Sequence, residues 1–383
     1  MTEPTSTIRR ASSAASDPQT AVAEMRRALE PGQASLVVLF ASTDYDLDEL
    51  GRAIGASFEG VPTVACTTAG EIGPHGYTPE GLTGFALPRD EFTVEVACID
   101  DLQQFEYQNG GAIATKLRSR LENRAPGARG DNTFAFMIVD GLSRMEEPLT
   151  AAVHLSLGDI QLFGGSAGDG GTFERTHVYW NGEFRTDRAL LTLIRTSRPF
   201  LVFRTQHFVA SDKRMVVTES DPAQRVVYAI DGEPATKAYA RHLGIPVEEL
   251  DAEIFACHPV VVKMGGEYFV RSIMRHRPDG AIEFACAIDQ GVVLRLAEGV
   301  DLVKNLEQTL GSVRQKLGPP ELIVGCDCFF RFVEAQTRDI QGEVGRIMRD
   351  HNVVGFVTYG EQFNAAHVNQ TLTGVAIGAR RAA

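Results

Sequence analysis

One pattern occurs three times along this chain and limits the folds that it can adopt. Each copy has an apolar run, a second run that ends in glycine and an acidic residue, and a third apolar run. The copies are LVVLFAS, ACTTAGE and LTGFALP from residue 36, AFMIVDG, FGGSAGD and ALLTLIR from residue 135, and ELIVGCD, GFVTYGE and LTGVAIG from residue 321. Short apolar runs bounded by glycine turns are typical of buried β-strands. The sequence therefore predicts an α/β fold of repeated β-α-β-turn-β units that form mixed sheets with flanking helices.

The spacing within the copies supports a duplicated unit. The second run begins 29, 28 and 34 residues after the first run, which leaves room for one helix between two strands. Separations of about 100 and 190 residues between the copies exclude a solenoid, whose repeats are much shorter.

The region between the second and third copies has a different pattern. Over residues 205–300, short apolar runs alternate with the turns DGE, GGE and PDG, which predicts an inserted antiparallel α+β segment. One helix, over 234–243, interrupts these strands, and a second helix, over 301–317, leads into the third copy. Residues 1–17 are rich in serine, alanine and charge, and we expect them to form a disordered tail.

Charge and cysteine usage restrict the class of protein. A net charge of -13 repels nucleic acids and anionic membranes, so we expect neither as a partner. No apolar run approaches the roughly 18 residues that span a bilayer, and the first residues lack the apolar core of a secretory signal. The six cysteines have no disulfide or zinc spacing. We therefore expect a cytoplasmic protein with reduced thiols and no membrane insertion.

Each copy places an acidic residue directly after a glycine: Glu71, Asp169 and Glu361. An acid in this position favours a turn, because it accepts hydrogen bonds from backbone N–H groups. The other interpretation is a divalent-metal site formed by the three carboxylates, although no adjacent carboxylate pair supports it.

The third copy continues into the densest polar run of the chain, between Gly360 and Gln370. It contains Glu361, His367 and Asn369, and the sequence predicts a loop that lines a ligand pocket. His367 has either a ligand-binding or a structural role there.

A single histidine is enough to hold a haem iron in an apolar pocket, and no multi-ligand zinc motif occurs. His242 is the first candidate, because it shares a helix face with Ala235, Ala238 and Tyr239. Small alanines leave room for a flat ligand. The alternative is a histidine that packs at the C-terminus of its helix. The other candidate ligands are His367 and His258.

Four ordered motifs resemble the FIST family over nearly the whole chain: ACTTAGEIG, FGGSAGDGG, VVYAIDGEPATKAYARHLG, and GFVTYGE with NQTLTGVAIG. The resemblance implies a FIST N-terminal sensory domain over 18–204 and a FIST C-terminal domain over 205–383. Members of this family bind small ligands and signal to kinases or other output domains. The C-terminal stretch resembles the NosP-type members, which bind haem and sense nitric oxide.

The resemblance thus implies a bacterial sensor that binds haem b and nitric oxide and regulates a partner histidine kinase or hybrid kinase. That kinase would control a phosphorelay, cyclic-di-GMP and biofilm formation, and a homodimer is compatible with this role. We expect His242 to ligate the iron, with Tyr239, Glu361, His367 and Asn369 beside the cofactor.

The alternative is a haem-free module that binds an amino acid or a similar metabolite. Its polar contacts would be Glu361, Asn369 and the backbone of residues 164–168. Enzymatic activity is not expected, because the sequence contains no legible pair of nucleophile and base.

Overall fold

The computed structural model describes residues 7–78 and 80–380. The first repeat consists of β1 (Arg9–Ser13), α1 (Pro18–Leu29), β2 (Ala34–Ala41), α2 (Leu47–Ser57), β3 (Thr63–Thr67), β4 (Glu71–Gly73), β5 (Gly76–Thr78) and β6 (Leu82–Pro88). The second repeat has the same order, with β7 (Phe92–Ile99), α3 (Tyr107–Arg124), β8 (Thr133–Val139), α4 (Glu146–Leu157), β9 (Gln161–Ser166), β10 (Val178–Trp180), β11 (Glu183–Arg185) and β12 (Ala189–Thr196).

The third repeat is interrupted after its first strand, β13 (Phe200–Gln206). An insert follows, with β14 (Phe208–Asp221), β15 (Val226–Ile230), β16 (Glu233–Pro234), α5 (Ala235–Leu243), α6 (Ala252–Cys257), β17 (Val260–Met264), β18 (Glu267–Arg271), β19 (Ile273–His276), β20 (Ile282–Phe284) and β21 (Val293–Gly299). The repeat then resumes with α7 (Leu302–Leu317), β22 (Pro320–Cys328), α8 (Phe329–Thr337), α9 (Gln341–Asp350), β23 (Val353–Thr358), β24 (Glu361–Phe363), β25 (Ala366–Val368) and β26 (Thr371–Gly378).

The predicted α/β fold with mixed sheets is confirmed, but each repeat is longer than the sequence pattern indicated. The pattern from residue 135 begins at β8, which is the second strand of its repeat. In the structure, β7 pairs antiparallel with β12 along its whole length and so begins the second repeat.

The expectation of a disordered tail over residues 1–17 is wrong for part of that range. Residues 9–13 form β1, which pairs antiparallel with β6 from Arg9 to Ser13. Asp17 then caps α1, because its carboxylate accepts a hydrogen bond of 2.8 Å from the backbone N–H of Thr20. Polar composition does not predict this strand, because the strand is held by the pairing of its backbone with β6 at the edge of a sheet. Residues 1–6 lie outside the described residues.

Each repeat contributes most of one six-stranded sheet and donates its hairpin to another. The strand orders are β1-β6-β2-β3-β10-β11, β7-β12-β8-β9-β24-β25 and β13-β26-β22-β23-β4-β5. The hairpin of the second repeat therefore completes the first sheet, that of the third completes the second, and that of the first completes the third. The repeats are joined cyclically by backbone hydrogen bonds.

Alternating side chains of the strands divide the core into a central part and outer parts. In β2, Val38 and Phe40 point to the centre, whereas Val37 and Leu39 pack against the helices of the same repeat. The central cluster combines all three sheets, and Phe40 stacks on Phe356 of the third repeat with ring centroids 4.6 Å apart.

The insert forms its own sheet, in the order β18-β17-β21-β14-β15-β20-β19 with β16 beside β15, and its own hydrophobic core. The two ends of the insert lie side by side, because Phe208 in its first strand pairs with Gly299 in its last strand. No helix within residues 7–78 and 80–380 combines the length and apolar character needed to cross a membrane.

Candidate functional site

A cavity of about 410 Å³ lies where the insert meets the repeats. One side consists of segments at the carboxyl ends of two parallel strand pairs, β8 with β9 and β22 with β23. The other side comes from β19, β20 and Arg225, the residue before β15. In α/β proteins, ligands bind outside the carboxyl ends of the strands. The lining includes Leu142, Phe173, Arg225, Phe329, Thr358, Tyr359 and Asn369.

Aromatic rings form one wall of this cavity. Phe173 and Tyr359 are stacked, with centroids 4.3 Å apart and an interplanar angle of 18°. Phe329 approaches both rings edge-on, at angles of 83° and 78°. Stacked and edge-on contacts are the favoured arrangements of aromatic rings, so the three rings stabilise one another.

Asp169 fixes the loop that carries Phe173. Its carboxylate accepts hydrogen bonds from the backbone N–H groups of Phe173, Glu174 and Arg175 and from the Tyr359 hydroxyl. Burial opposes ionisation of Asp169, but these four donors together lower its pKa. For Asp169, the predicted turn role is confirmed.

Charged residues join the insert to the second repeat beside the cavity. The Arg225 guanidinium donates to Glu146 over 2.6 Å and to Glu147 over 3.1 Å. It also donates to the backbone carbonyl of Ala285, while Glu147 accepts from the backbone N–H of Ala287. Because Glu146 is fully buried, this ion pair is screened little by water.

The predicted polar run is a buried hairpin, β24 with β25, rather than a loop. His367 is almost fully buried, and its ring nitrogens lie 3.5 Å from the Gln362 amide nitrogen and 3.4 Å from that of Asn369. Burial lowers the pKa of His367, so the ring is neutral near pH 7. Asn369 lines the cavity and also accepts a long hydrogen bond, 3.4 Å, from the backbone N–H of Ser272.

Glu361 and Glu71 occupy equivalent buried positions, apart from the cavity. Each lies within hydrogen-bonding distance of the hydroxyl of the threonine three residues earlier, Thr358 and Thr68. Thr371 contributes a hydroxyl and a backbone N–H to Glu361 as well. Burial nevertheless raises the pKa of both carboxyl groups to about 8, so both are protonated near pH 7.

These two acids and Asp169 each have separate hydrogen-bond partners. Within the described residues, no group of three or more His, Cys, Asp or Glu side chains is arranged to hold a metal ion.

The residues predicted around a haem do not form a haem pocket. Ala235, Ala238 and Tyr239 are completely buried in the core of the insert, so protein side chains already cover this face of α5. His242 lies at the edge of that core, with Nε2 3.3 Å from the Asp231 carboxylate. It is not part of the cavity lining. The Tyr239 hydroxyl donates to the backbone carbonyl of His258.

The two other candidate axial ligands fit a haem no better. The His367 ring packs so closely on Gly360 that a Cβ there would lie 2.3 Å from its Cε1 atom. That contact, together with a φ of 140°, requires glycine at this position. His258 is exposed and lies close to the charges of Arg338 and Glu334, which is a polar setting for a porphyrin.

The backbone of residues 164–168 is also engaged. Gly164 and Gly165 are part of β9 and pair with Gln362 and Glu361 of β24 on one side and with β8 on the other. Close packing explains these glycines, since a Cβ on Gly165 would lie 2.6 Å from a methyl group of Thr358.

Several residues of the cavity were not predicted as site residues. Arg225, Phe173 and Phe329 belong to segments that are more than 50 residues apart along the chain and meet only through the fold. Tyr359 had a sequence signal, because it lies within the repeated GFVTYGE motif, where the equivalent residues are Ala69 and Ala167. An aromatic residue at one of three equivalent positions marks the repeat that carries the site.

Family comparison identifies the chain. The model of the FIST N domain matches residues 35–233, and that of the FIST C domain matches residues 235–364. The chain belongs to the FIST family. FIST domains are sensory, ligand-binding domains of signalling proteins, so the sequence resemblance is confirmed at this level.

Other comparisons add little to the family assignment. No curated protein sequence matches this FIST chain significantly. Among solved structures, a cyanuric acid hydrolase is similar over 97% of this chain and 99% of its own, with 10% identity and a TM-score of 0.40. A likeness at that level carries no information about activity.

Proposed function

We propose that this FIST chain is a haem-free sensor of a small ligand that regulates a partner histidine kinase. The observation that carries the proposal is the position of the cavity, between the insert and the repeats. A ligand held there contacts Phe173, Phe329 and Tyr359 of the repeats and β19 and β20 of the insert at the same time.

Such a ligand has a direct way to change the structure. Its binding free energy favours the arrangement in which the insert and the repeats both touch it, over any arrangement in which they separate. A kinase that recognises a surface spanning both parts would then distinguish the bound from the free protein.

Haem-based sensing of nitric oxide stays a prediction of the sequence resemblance. The packed alanine face of α5 and the contacts of His367 favour a ligand other than haem. Titration of the purified chain with haem separates the two possibilities. We expect no Soret band of a histidine-ligated haem, and a band that is lost in His242→Ala would restore the haem hypothesis.

The first prediction concerns ligand binding in the cavity. A screen of metabolites by thermal unfolding should find a compound that raises Tm, because a ligand at 100 times its Kd stabilises a protein by about 2.7 kcal/mol. The variant Leu142→Trp fills the cavity and should abolish this rise. Leu155→Trp, at an exposed leucine of α4, is the matched control and should retain it.

Two outcomes would contradict the proposal. One is a screen in which no compound stabilises the wild-type chain. The other is equal stabilisation of both tryptophan variants, since the ligand would then bind outside the cavity. Autophosphorylation of the cognate kinase, measured with ligand-loaded and ligand-free chain, tests the signalling step.

A further inference from the structure

The cavity contains a strained aromatic residue, which indicates a built binding wall. Phe173 has a φ of 56°, in the left-handed region that non-glycine residues rarely occupy. The three backbone hydrogen bonds to Asp169 over residues 173–175 hold the loop in this conformation. The result is that the Phe173 ring lies flat on Tyr359 beside the cavity. Strain that is maintained in this way is typical of ligand-binding sites.

The three arginines that line the cavity are already paired. Arg225 is held by Glu146 and Glu147. At the rim, Arg275 and Arg144 both contact Glu283, at 2.8 Å and 3.5 Å. An anionic ligand at Arg225 would have to displace Glu146, which would leave a fully buried carboxylate without its partner, and that is strongly unfavourable.

Uncharged hydrogen-bonding groups remain available in the lining. Among the described residues, the Asn369 side chain makes only hydrogen-bond contacts of 3.4 Å, to His367 and to the backbone of Ser272. Hydrogen bonds of that length are weak, so the amide can exchange them for a shorter bond to a ligand. Asn369 is nearly fully buried, so a ligand group that forms a hydrogen bond with its amide makes the binding free energy more favourable.

We infer that the cavity binds an uncharged aromatic molecule with a hydrogen-bonding substituent, and that it discriminates against carboxylates, phosphates and zwitterions. The inference rests on the proposed function and names the class of its ligand. The ring packs against Phe173, Phe329 and Tyr359, and the substituent reaches Asn369. The carboxylate of a zwitterionic amino acid, the metabolite class expected from the sequence, finds no unpaired cation among the described residues of the lining.

Three probes that share one ring system test the ligand class. Indole is uncharged, indole-3-acetate is an anion and tryptophan is a zwitterion. At equal concentration, indole should raise the Tm of the full chain, and the other two should not. Stabilisation by indole-3-acetate or tryptophan without stabilisation by indole overturns the ligand class but leaves the sensor proposal intact. Binding of none of the three also overturns the class, and the metabolite screen then decides the proposed function separately.

Calorimetric titration with indole locates the site. Phe329→Leu removes one ring of the wall and should weaken the affinity about 2- to 10-fold. Phe184→Leu, at a half-buried phenylalanine on β11, is the matched control and should bind like the wild type. Leu142→Trp should bind no indole. Wild-type affinity in Leu142→Trp would place indole elsewhere and overturn the inference.

Discussion

At the scale of single residues, burial raises the pKa of two carboxylic acids, Glu71 and Glu361, to about 8. The side-chain oxygen of Thr358 lies beside both Glu361 and the backbone carbonyl of Asp327. A hydroxyl has one hydrogen, so it donates to only one of these acceptors. A protonated Glu361 resolves the conflict, because it donates to Thr358 while Thr358 donates to Asp327. This arrangement agrees with the raised pKa of Glu361.

The pH dependence of stability should report this proton. Because the pKa of Glu361 is about 8 in the folded state and about 4.5 in the unfolded chain, the protonated acid contributes stability that is lost as pH rises between these values. The loss is at most about 1.4 kcal/mol of unfolding free energy per pH unit for each such group. Glu361→Gln imitates the protonated acid and should reduce this slope.

Urea unfolding at several pH values between 5 and 8.5 measures the slope. The control Glu59→Gln changes an exposed glutamate and should leave the slope as in the wild type. An unchanged slope in Glu361→Gln would mean that Glu361 is ionised in the folded protein.

At the scale of elements, α8 connects the insert to the third repeat through a buried chain of charges. Arg331 donates to Asp327 over 2.7 Å and to Nδ1 of His207 over 2.9 Å. A guanidinium has no acceptor, so Nδ1 of His207 is unprotonated and Nε2 donates its hydrogen to Glu334 over 2.6 Å. His207 is the residue before the insert, and its carbonyl accepts from the N–H of Val300, directly after the insert.

The substitution Arg331→Met should therefore destabilise the fold. Removing one partner of a buried ion pair leaves an uncompensated charge and typically costs about 3–5 kcal/mol. Arg129→Met removes an exposed arginine that pairs with Asp131, and should cost less than about 1 kcal/mol. Denaturant unfolding of both variants measures the difference. Equal stability of the two would show that the buried chain does not hold the insert.

The sequence predicted the elements of the repeats better than their pairing. Runs such as LVVLFAS and LTGVAIG have a local apolar pattern that indicates a strand wherever it occurs. The partner of β24 is β9, about 200 residues earlier, and nothing in the local pattern specifies that contact. The same limit explains why the residues of the site were predicted only in part. Asn369 was predicted near a ligand and lines the cavity, whereas Arg225 reaches it through the packing of the insert and Phe329 through the meeting of the second and third repeats.

At the scale of the whole molecule, the boundary between the two family domains does not separate two independent sheets. A cut after residue 234 separates β24 and β25 from the other four strands of the second sheet. In the third sheet, it separates β22, β23 and β26 from β13, β4 and β5. It also divides the sheet of the insert, because β14, β15 and β16 precede the cut in the chain and the other strands of that sheet follow it. Each fragment would expose unpaired strand edges and half of the central core.

We therefore expect fragments 1–234 and 235–383 to lack cooperative unfolding when they are produced separately. When they are co-expressed, they should purify as one complex with a single thermal transition. Size-exclusion chromatography and circular dichroism are the measurements. A fragment 1–234 that unfolds cooperatively by itself would contradict this expectation.

The donation of hairpins runs in one direction around the three repeats, from the second to the first, from the first to the third and from the third to the second. A chain with only one repeat would have a hairpin without an acceptor strand and an acceptor strand without a hairpin. Contacts of this head-to-tail type close into a ring when successive copies are related by a third of a turn. We therefore expect an isolated repeat, such as residues 89–198, to assemble as a homotrimer rather than to remain a monomer. In this chain the three repeats are joined in one polypeptide, and the insert in the third repeat forms one side of the cavity.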